Sequence, residues 1–68
     1  DIPELVDYFI AQISSENGRS PVPFTPEAIK ALQERKWPGN IRELRNVVER
    51  LLILGGNPVS ARDVEIFF

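Results

Sequence analysis

Residues 37–44, which read WPGNIREL, decide how the rest of the chain is organised. The proline fixes its own φ angle and favours an extended conformation at Trp37, and the glycine permits the backbone angles of a sharp turn. Asn40 is a favourable N-cap, and Glu43 follows three residues later, as in a capping box. The stretch therefore predicts that one helix ends before Trp37 and that the next begins at Ile41.

Arg42 occupies the second position of that next helix, which is an unfavourable place for a cation. The helix dipole disfavours a positive charge there by roughly 0.3 to 1 kcal/mol. One interpretation is an anion site, because exposed backbone N–H groups and a guanidinium both suit phosphate oxygens. The other is a solvated arginine that pairs with a nearby acid such as Glu49. The residues alone leave both interpretations open.

Length and composition indicate one small domain that is held together by packing. The chain has 68 residues, 43% of them hydrophobic, and it contains no cysteine or histidine. That composition excludes disulfides, the common Cys/His zinc sites and histidine-based catalysis. The longest apolar run, residues 51–54, is too short to span a bilayer, and the acidic start is unlike a signal peptide. We therefore expect a soluble, cytoplasmic protein.

The charge pattern argues against a domain that binds nucleic acid by itself. The formal net charge is −2, with acidic residues dominating the first quarter of the chain and basic residues the middle. A free-standing DNA-binding domain usually carries a clear excess of positive charge. Glu4 and Asp7 lie three residues apart on the outer side of the first predicted helix. We interpret them as a solvated face, and no metal site is expected.

The first helix is marked by a cap, an apolar face and a stop signal. Asp1 is the expected N-cap, and Asn17 with Gly18 ends the helix. Its inner face repeats at helical spacing. The residues of that face are Ile2, Leu5, Val6, Phe9, Ile10 and Ile13.

The second helix follows a proline-rich connector. Thr25 is its N-cap and Pro26 takes its first position. We expect its body to extend to about Arg35, with a narrow apolar face. The residues of that face are Ala28, Ile29, Ala31 and Leu32.

The third helix carries a broad apolar band and is predicted to be the central element of the bundle. The band consists of Ile41, Leu44, Val47, Val48, Leu51, Leu52 and Leu54. On the polar side, Arg45 and Glu49 are four residues apart, so they can pair within the helix. The same spacing relates Asn46 and Arg50. Residues 55–58, which read GGNP, end the helix.

A short fourth helix is predicted to begin at Ala61. Ser60 is its N-cap, and Asp63 supplies the acid of a capping box. The chain closes with residues 66–68, IFF, which we expect to dock onto the bundle at a point where a longer protein has been cut. The predicted fold class is therefore all-α, a small bundle of three to four helices.

The sequence contains no known phosphate-binding loop. None of the four glycines belongs to a Gly-x-x-x-x-Gly-Lys-Ser/Thr pattern or to a GxGxxG pattern. The serines have no histidine to activate them, so a catalytic serine is not expected. Phosphate chemistry therefore cannot be complete within this chain.

Residues 37–44 resemble the WPGN-[IV]-REL signature of the AAA+ ATPase domain in sigma-54-dependent transcriptional activators, the NtrC-like bacterial enhancer-binding proteins. Other segments resemble the same family in order and spacing, so that the resemblance covers essentially the whole chain. These segments are Asp1 to Pro3, Phe24 to Ala28, Arg45 to Arg50 and Ser60 to Val64. The resemblance implies that residues 1–68 form a single helical subdomain, the lid that follows the nucleotide-binding α/β core of a larger ATPase.

The resemblance also implies that the turn takes part in ATP binding. By position, Arg42 corresponds to the sensor II arginine, a catalytic residue that reaches the phosphates of ATP and couples hydrolysis to lid movement. The resemblance thereby supplies the anion for Arg42. Further residues would lie near the adenine and ribose; these are Pro38, Gly39, Asn40 and Ile41. Arg45 departs from the acidic residue often found at its position, which leaves its role open.

The resemblance implies that the chain alone is not an enzyme. The Walker motifs, the sigma-54-contacting loop, sensor I and the arginine finger of the family are not in it, and the core would hold the magnesium ion. The expected partners are the α/β core of the same chain and neighbouring subunits of a ring oligomer. Sigma-54 RNA polymerase and DNA would be contacted only through other parts of the parent, a two-component regulator, and no membrane contact is expected.

Two other functions fit parts of the sequence. In a DNA-binding helix-turn-helix, the second helix would position the module, residues 37–40 would form the turn, and Arg42, Arg45 and Asn46 would read bases. The acidic net charge is the main argument against it. A plain protein-interaction bundle would instead expose large apolar side chains at the turn or at the end of the chain.

Overall fold

The four predicted helices are all present, and the all-α fold class is confirmed. The computed structural model describes residues 2–37 and 41–68. Within them, α1 spans Ile2–Glu16, α2 spans Pro26–Gln33, α3 spans Ile41–Leu54 and α4 spans Ala61–Phe67. Four residues with predicted roles lie outside the described part: Asp1, Pro38, Gly39 and Asn40.

α1 ends at the glycine that the sequence indicates. Gly18 has a φ angle of 64°, a left-handed conformation that glycine adopts without steric cost. Its N–H donates to the carbonyl of Ser15 at 3.2 Å, and the N–H of Arg19 donates to the carbonyl of Ser14 at 2.9 Å. These two bonds form a Schellman motif, which satisfies carbonyls at the end of the helix.

The segments that precede α2 and α4 are joined to each other, a feature that the sequence did not predict. The N–H of Thr25 donates to the carbonyl of Val59 at 2.9 Å, and the N–H of Val59 donates to the carbonyl of Pro23 at 2.9 Å. Phe24 and Val59 thereby form an isolated parallel bridge, and both side chains are buried. The bridge consequently holds the starts of α2 and α4 together.

The helices form a ring of neighbours around the core. α1 packs against α2 and α3, and α4 also packs against α2 and α3. No described Cα atom of α2 lies within 8 Å of one of α3, so these two helices face each other across the bundle. The prediction that the third helix is central is therefore wrong, because every helix has two neighbours. The largest fully buried side chains are Val6, Ile13, Leu32, Leu44, Val48, Leu51, Val59 and Val64.

The two neighbours of α3 leave both ends of its apolar band exposed. Its buried residues are Leu44, Val47, Val48 and Leu51. Ile41 and Leu54, at the two ends of the band, are 58% and 54% exposed. The width of the band predicted contact with more than one neighbouring helix, and α3 does pack against both α1 and α4.

α2 is two residues shorter than predicted. It ends at Gln33 with Glu34 as its C-cap, whereas the sequence suggested a body that extends to about Arg35. The carbonyl of Leu32 accepts the N–H of Arg35 at 3.2 Å and the indole N–H of Trp37 at 2.8 Å. These two donors satisfy a carbonyl near the helix end, so the chain can leave the helix before Trp37, as the proline after it demands.

The link between α3 and α4 requires glycine at its first position. The N–H of Gly55 donates to the carbonyl of Leu51 at 2.8 Å. A Cβ atom at Gly55 would lie 2.5 Å from that same oxygen, which is closer than any side chain tolerates. α3 therefore ends before Gly55, as the sequence predicts.

None of the described helices combines the length and the apolar character that a bilayer-spanning helix requires.

Candidate functional site

Arg42 lies where the sequence predicts it, at the second residue of α3. α3 begins at Ile41, and Arg42 and Glu43 are both exposed to solvent, whereas Leu44 is only 1% exposed. Burial of Leu44 fixes the rotation of the helix, and that rotation directs Arg42 and Glu43 away from the core. Ile41 shares the face of Leu44 and is exposed at the end of the helix. Arg42 and Glu43 each interact with other groups of the protein. A guanidinium has five donors, so an internal partner is compatible with a ligand at Arg42.

The other residues predicted to line an ATP site are less fully described. Ile41 is 58% exposed at the helix start, next to Arg42. Pro38, Gly39 and Asn40 lie outside the described residues. Trp37, which precedes them, is half-buried and packs against the core. The described residues that pack in or against the core nearest to these three are therefore Trp37 before them and Leu44 after them.

Trp37 belongs to a cluster that sequence reasoning missed. Its ring lies 5.3 Å from the ring of Phe68, centroid to centroid, with a tilt of 54°. The guanidinium carbon of Arg35 lies 4.3 Å from the centroid of the Phe68 ring. We call Arg35, Trp37 and Phe68 the aromatic clamp. In the sequence, Arg35 and Trp37 are close to each other but Phe68 is far along the chain, and no local pattern connects it to them.

The clamp also shows how the end of the chain docks. Phe67 and Phe68 are half-buried and pack against the core, as predicted, whereas Ile66 is 58% exposed. Nη1 of Arg50 donates to the carbonyl oxygen of Phe68 at 3.1 Å. The spacing allowed Arg50 to pair with Asn46, one turn before it in α3, but its described hydrogen bond reaches the C-cap residue of α4 instead.

Arg45 pairs with α1 and not with its own helix. Nη2 of Arg45 lies 2.8 Å from Oε1 of Glu16, and the two side chains are 30% and 52% exposed. The spacing within α3 also allowed a pair with Glu49. Glu16 is the last residue of α1, which packs against α3, so the tertiary neighbour replaces the one four residues along. The pair is worth about 1 kcal/mol or less because both groups remain partly in water.

The start of α4 carries the predicted capping box, with two extra contacts, one of which is the hydroxyl of Ser60 donating to Oδ2 of Asp63 at 3.1 Å. The hydroxyl of Ser60 accepts the N–H of Asp63 at 3.2 Å, and Oδ2 of Asp63 accepts the N–H of Ser60 at 3.0 Å. The same oxygen also accepts the N–H of Gly56 at 3.1 Å. Backbone hydrogen bonds from Ser60 and then from Gly56 lower the pKa of Asp63, because they stabilise its charged form.

A small cavity lies at the other end of α3, away from Arg42. It has a volume of about 50 Å³ and is lined by residues of α1, the connector and α3, among them Ser14, Val22 and Leu52. That volume suits a few water molecules and is far below the 300 Å³ or so of a typical ligand pocket. The described residues also contain no group of acidic side chains that could hold a metal ion. Arg42 at the helix start therefore remains the candidate functional residue.

Comparison with known proteins identifies the family to which this bundle belongs. Residues 1–65 match the family model of the AAA+ ATPase lid domain. The chain belongs to that family. The lid is thus the helical part of an AAA+ ATPase, as the resemblance of its turn and caps implied.

The most similar relatives include bacterial transcriptional regulators. An NtrX-like response regulator of Rickettsia typhi is 53% identical over 66 residues, which are 97% of this chain and 14% of the regulator. The nitrogen assimilation regulatory protein NtrX of Azorhizobium caulinodans is 54% identical over 59 residues, which are 85% of this chain and 13% of that protein. These relatives confirm the resemblance to the lid of sigma-54-dependent activators. The lid spans about one seventh of their length.

A solved structure agrees with the fold. A crystal structure of NtrX from Brucella abortus in complex with ADP matches the lid with a TM-score of 0.80 and 47% sequence identity, over 93% of this chain and 15% of that one. A second structure of the same NtrX, in complex with ATP, matches it equally well. The bundle described above is therefore the one found within a nucleotide-binding regulator.

Proposed function

We propose that this lid contributes Arg42 to ATP bound in the α/β core of its parent protein. In this role Arg42 is the sensor II arginine, which contacts the phosphates and couples hydrolysis to lid movement. Residues 38–41 lie beside the adenine and ribose. The parent is an ATPase that drives transcription initiation.

The observation that carries the proposal is the exposure of Arg42 at the first turn of α3. The burial of Leu44 directs Arg42 outward, and exposed Ile41 beside it adds apolar surface for a base or a sugar. Charge-assisted hydrogen bonds from a guanidinium to phosphate are strong, and the start of a helix adds a favourable dipole for an anion. The position that is unfavourable for Arg42 in the lid alone is thus favourable once phosphate is bound.

The solved relatives support the choice of ligand. Two structures of Brucella abortus NtrX contain ADP and ATP respectively, and both include a lid of this fold at 47% sequence identity. Carried to the present chain, this makes an adenine nucleotide the ligand that Arg42 contacts. A nucleotide core supplies the remaining phosphate contacts and the magnesium ion, so the lid alone neither hydrolyses ATP nor binds it tightly.

The partners follow from the same proposal. The lid packs on the α/β core of its own chain and lies near neighbouring subunits of a ring oligomer. Contacts with sigma-54 RNA polymerase and with DNA belong to other parts of the parent, a regulator of the two-component type. The helix-turn-helix alternative loses support because Arg45, one of its base-reading residues, holds Glu16 of α1, and a carboxylate beside a DNA-contacting arginine repels phosphate.

Steady-state ATPase measurements on the parent activator test the proposal. Arg42→Ala should lower kcat by about 10- to 100-fold, because the lost charge stabilises the transition state more than bound ATP. Arg62→Ala is the matched control, since Arg62 is also exposed at the second residue of a helix, α4. It should leave kcat unchanged. Normal turnover by Arg42→Ala would show that Arg42 is a surface arginine and that the sensor assignment is wrong.

A further inference from the structure

Arg45 is a second cation close to Arg42 on the surface of α3. The two residues are three positions apart in the helix, so they differ by about 60° around its axis and by about 4.5 Å along it. Side chains at that spacing are neighbours on a helix surface, and long side chains lean toward the start of their helix. Arg45 is therefore within reach of the turn that carries Arg42.

In the lid, the guanidinium of Arg45 is held by Glu16. Nη2 of Arg45 lies 2.8 Å from Oε1 of Glu16, and the Glu16 side chain is 52% exposed. Glu16 is the last residue of α1, and the last turn of that helix contains no basic residue. The negative end of the helix dipole disfavours a carboxylate there, and the cation from α3 offsets this cost. The pair thus draws the Arg45 side chain toward α1.

The pair has no net charge, and this matters for an anion at the start of α3. Charges are screened over about 8 Å at physiological ionic strength, which is longer than one helical turn. A phosphate at Arg42 would therefore respond to the loss of either charge of the pair. Arg42 and Glu43 also interact with other groups of the protein. Their charges, and that of Glu49 one turn after Arg45, add to the field of the pair and do not replace it.

We propose that Glu16 lowers the affinity of the parent ATPase for adenine nucleotide by neutralising Arg45. With Glu16 in place, Arg42 is the arginine of α3 that contacts phosphate, and Arg45 stays with α1. The weaker hold favours release of ADP after hydrolysis, a step that often limits repeated turnover. The inference rests on the proposed function of Arg42, and the experiment below separates the two.

The test compares Glu16→Gln with Arg45→Gln in the full-length parent. Both substitutions remove the same salt bridge, but the first leaves an additional positive charge and the second an additional negative one. The Kd of ADP, measured by titration calorimetry, should therefore fall about two- to fivefold for Glu16→Gln and rise by about the same factor for Arg45→Gln. Glu4→Gln is the matched control, because Glu4 is an exposed acid of the same helix about 18 Å away. It should leave the Kd unchanged.

Two further measurements distinguish this role from a purely structural one. The double variant Glu16→Gln with Arg45→Gln is neutral again but lacks the salt bridge, so its Kd should return to within about twofold of the wild type. High ionic strength should reduce the difference between each single variant and the wild type, because salt screens the charges. If the pair only held α1 against α3, both single variants and the double variant would change the Kd in the same direction, and the inference would fail.

Thermal unfolding and the turnover of Arg42→Ala complete the experiment. Both side chains of the pair are partly in water, so all variants should fold. If Arg45→Gln proves poorly folded, the comparison of Glu16→Gln with Glu4→Gln decides the question, and equal Kd values would contradict the inference. Slow turnover by Arg42→Ala with an unchanged Kd in Glu16→Gln would overturn only the role of Glu16. Normal turnover by Arg42→Ala would overturn the proposed function.

Discussion

α3 and α4 begin with the same four-residue pattern, and the nearest described residues before them make different kinds of contact. Residues 41–44 read IREL and residues 61–64 read ARDV, so each start has an apolar residue, an arginine, an acid and a second apolar residue. The fourth residue is buried in both: Leu44 is 1% exposed and Val64 is fully buried. The rotation of both helices is therefore set in the same way.

The approach to α4 is held by backbone hydrogen bonds. Val59 exchanges two of them with the segment before α2, at 2.9 Å each, and its side chain is fully buried. Ser60 and Asp63 then close a capping box, and Asp63 also accepts the N–H of Gly56. This helix start is therefore held by hydrogen bonds to the segment before α2, within its own cap and to Gly56.

The last described residue before α3 is Trp37, and its described contacts are made by its side chain. Trp37 is fixed by one indole hydrogen bond and by its ring contact with Phe68, and Ile41 at the helix start is more than half exposed. Ring contacts are less directional than a pair of backbone hydrogen bonds and are more easily shifted. Two helix starts can thus share a sequence pattern while the described residues before them are held by different kinds of contact.

The largest expected effect concerns the feature that both starts share. Leu44→Ala should destabilise the isolated lid by about 3 kcal/mol and Val64→Ala by about 2 kcal/mol, because each leaves a cavity in a packed core. Denaturant unfolding of the wild type and both variants measures this difference. A loss below about 0.5 kcal/mol at either residue would mean that the helix starts are not anchored alike.

Denaturant unfolding of the isolated wild type and variants requires that the lid folds by itself. We expect a cooperative thermal transition of modest stability, as is usual for a core of this size. A melt without a transition would show that the α/β core is required, and both variants would then be measured in the parent.

Much of this comparison could be predicted from the sequence, because helix starts depend on neighbouring residues. Pro26, Ile41 and Ala61 begin helices as predicted, since a cap, a proline or a turn residue a few positions away determines each. Gly18 and Gly55 end helices as predicted for the same reason. The location of Arg42 on the surface followed from the helical repeat alone.

The features that were missed depend on partners far away in the chain. Arg45 reaches Glu16, 29 residues earlier, and not Glu49 in its own helix. The bridge between the segments before α2 and α4 and the ring contact of Trp37 with Phe68 join residues that share no local pattern. Local propensity cannot rank such contacts, since they depend on how helices pack and on which neighbours remain in reach.

An intermediate effect should appear at the start of α4 when the pH falls. Its hydrogen bonds lower the pKa of Asp63 from the ordinary value of 3.8, so its stabilising contribution is complete above about pH 4 and is lost as the pH falls through the lower pKa of the folded state. Asp63→Asn lacks this contribution at all pH values. The Tm of the wild type should therefore exceed that of Asp63→Asn at neutral pH, and the gap should narrow in acid.

Thermal unfolding at several pH values, with both proteins in the same buffers, checks this expectation. A gap in Tm that stayed constant from neutral pH into acid would indicate that the carboxylate charge is not what the capping box uses. Ser60→Ala removes the other half of the box, and it should cost about 1 kcal/mol as a lost N-cap at neutral pH.

The smallest expected effect is the change in stability of the isolated lid when Arg42 or Arg62 is replaced by alanine. Arg42→Ala and Arg62→Ala each remove an exposed cation from the first turn of a helix, where the dipole disfavours it. The dipole and the contacts that Arg42 makes within the lid oppose each other, so each isolated variant should stay within about 1 kcal/mol of the wild type. In the parent ATPase the two variants should then differ, with turnover lost only for Arg42→Ala.

The paired measurement is denaturant unfolding of the lid and steady-state turnover of the parent. If Arg42→Ala unfolded the lid by several kcal/mol while the parent hydrolysed ATP normally, Arg42 would be the structural arginine of the pair, and the likeness of the two helix starts would extend to their function.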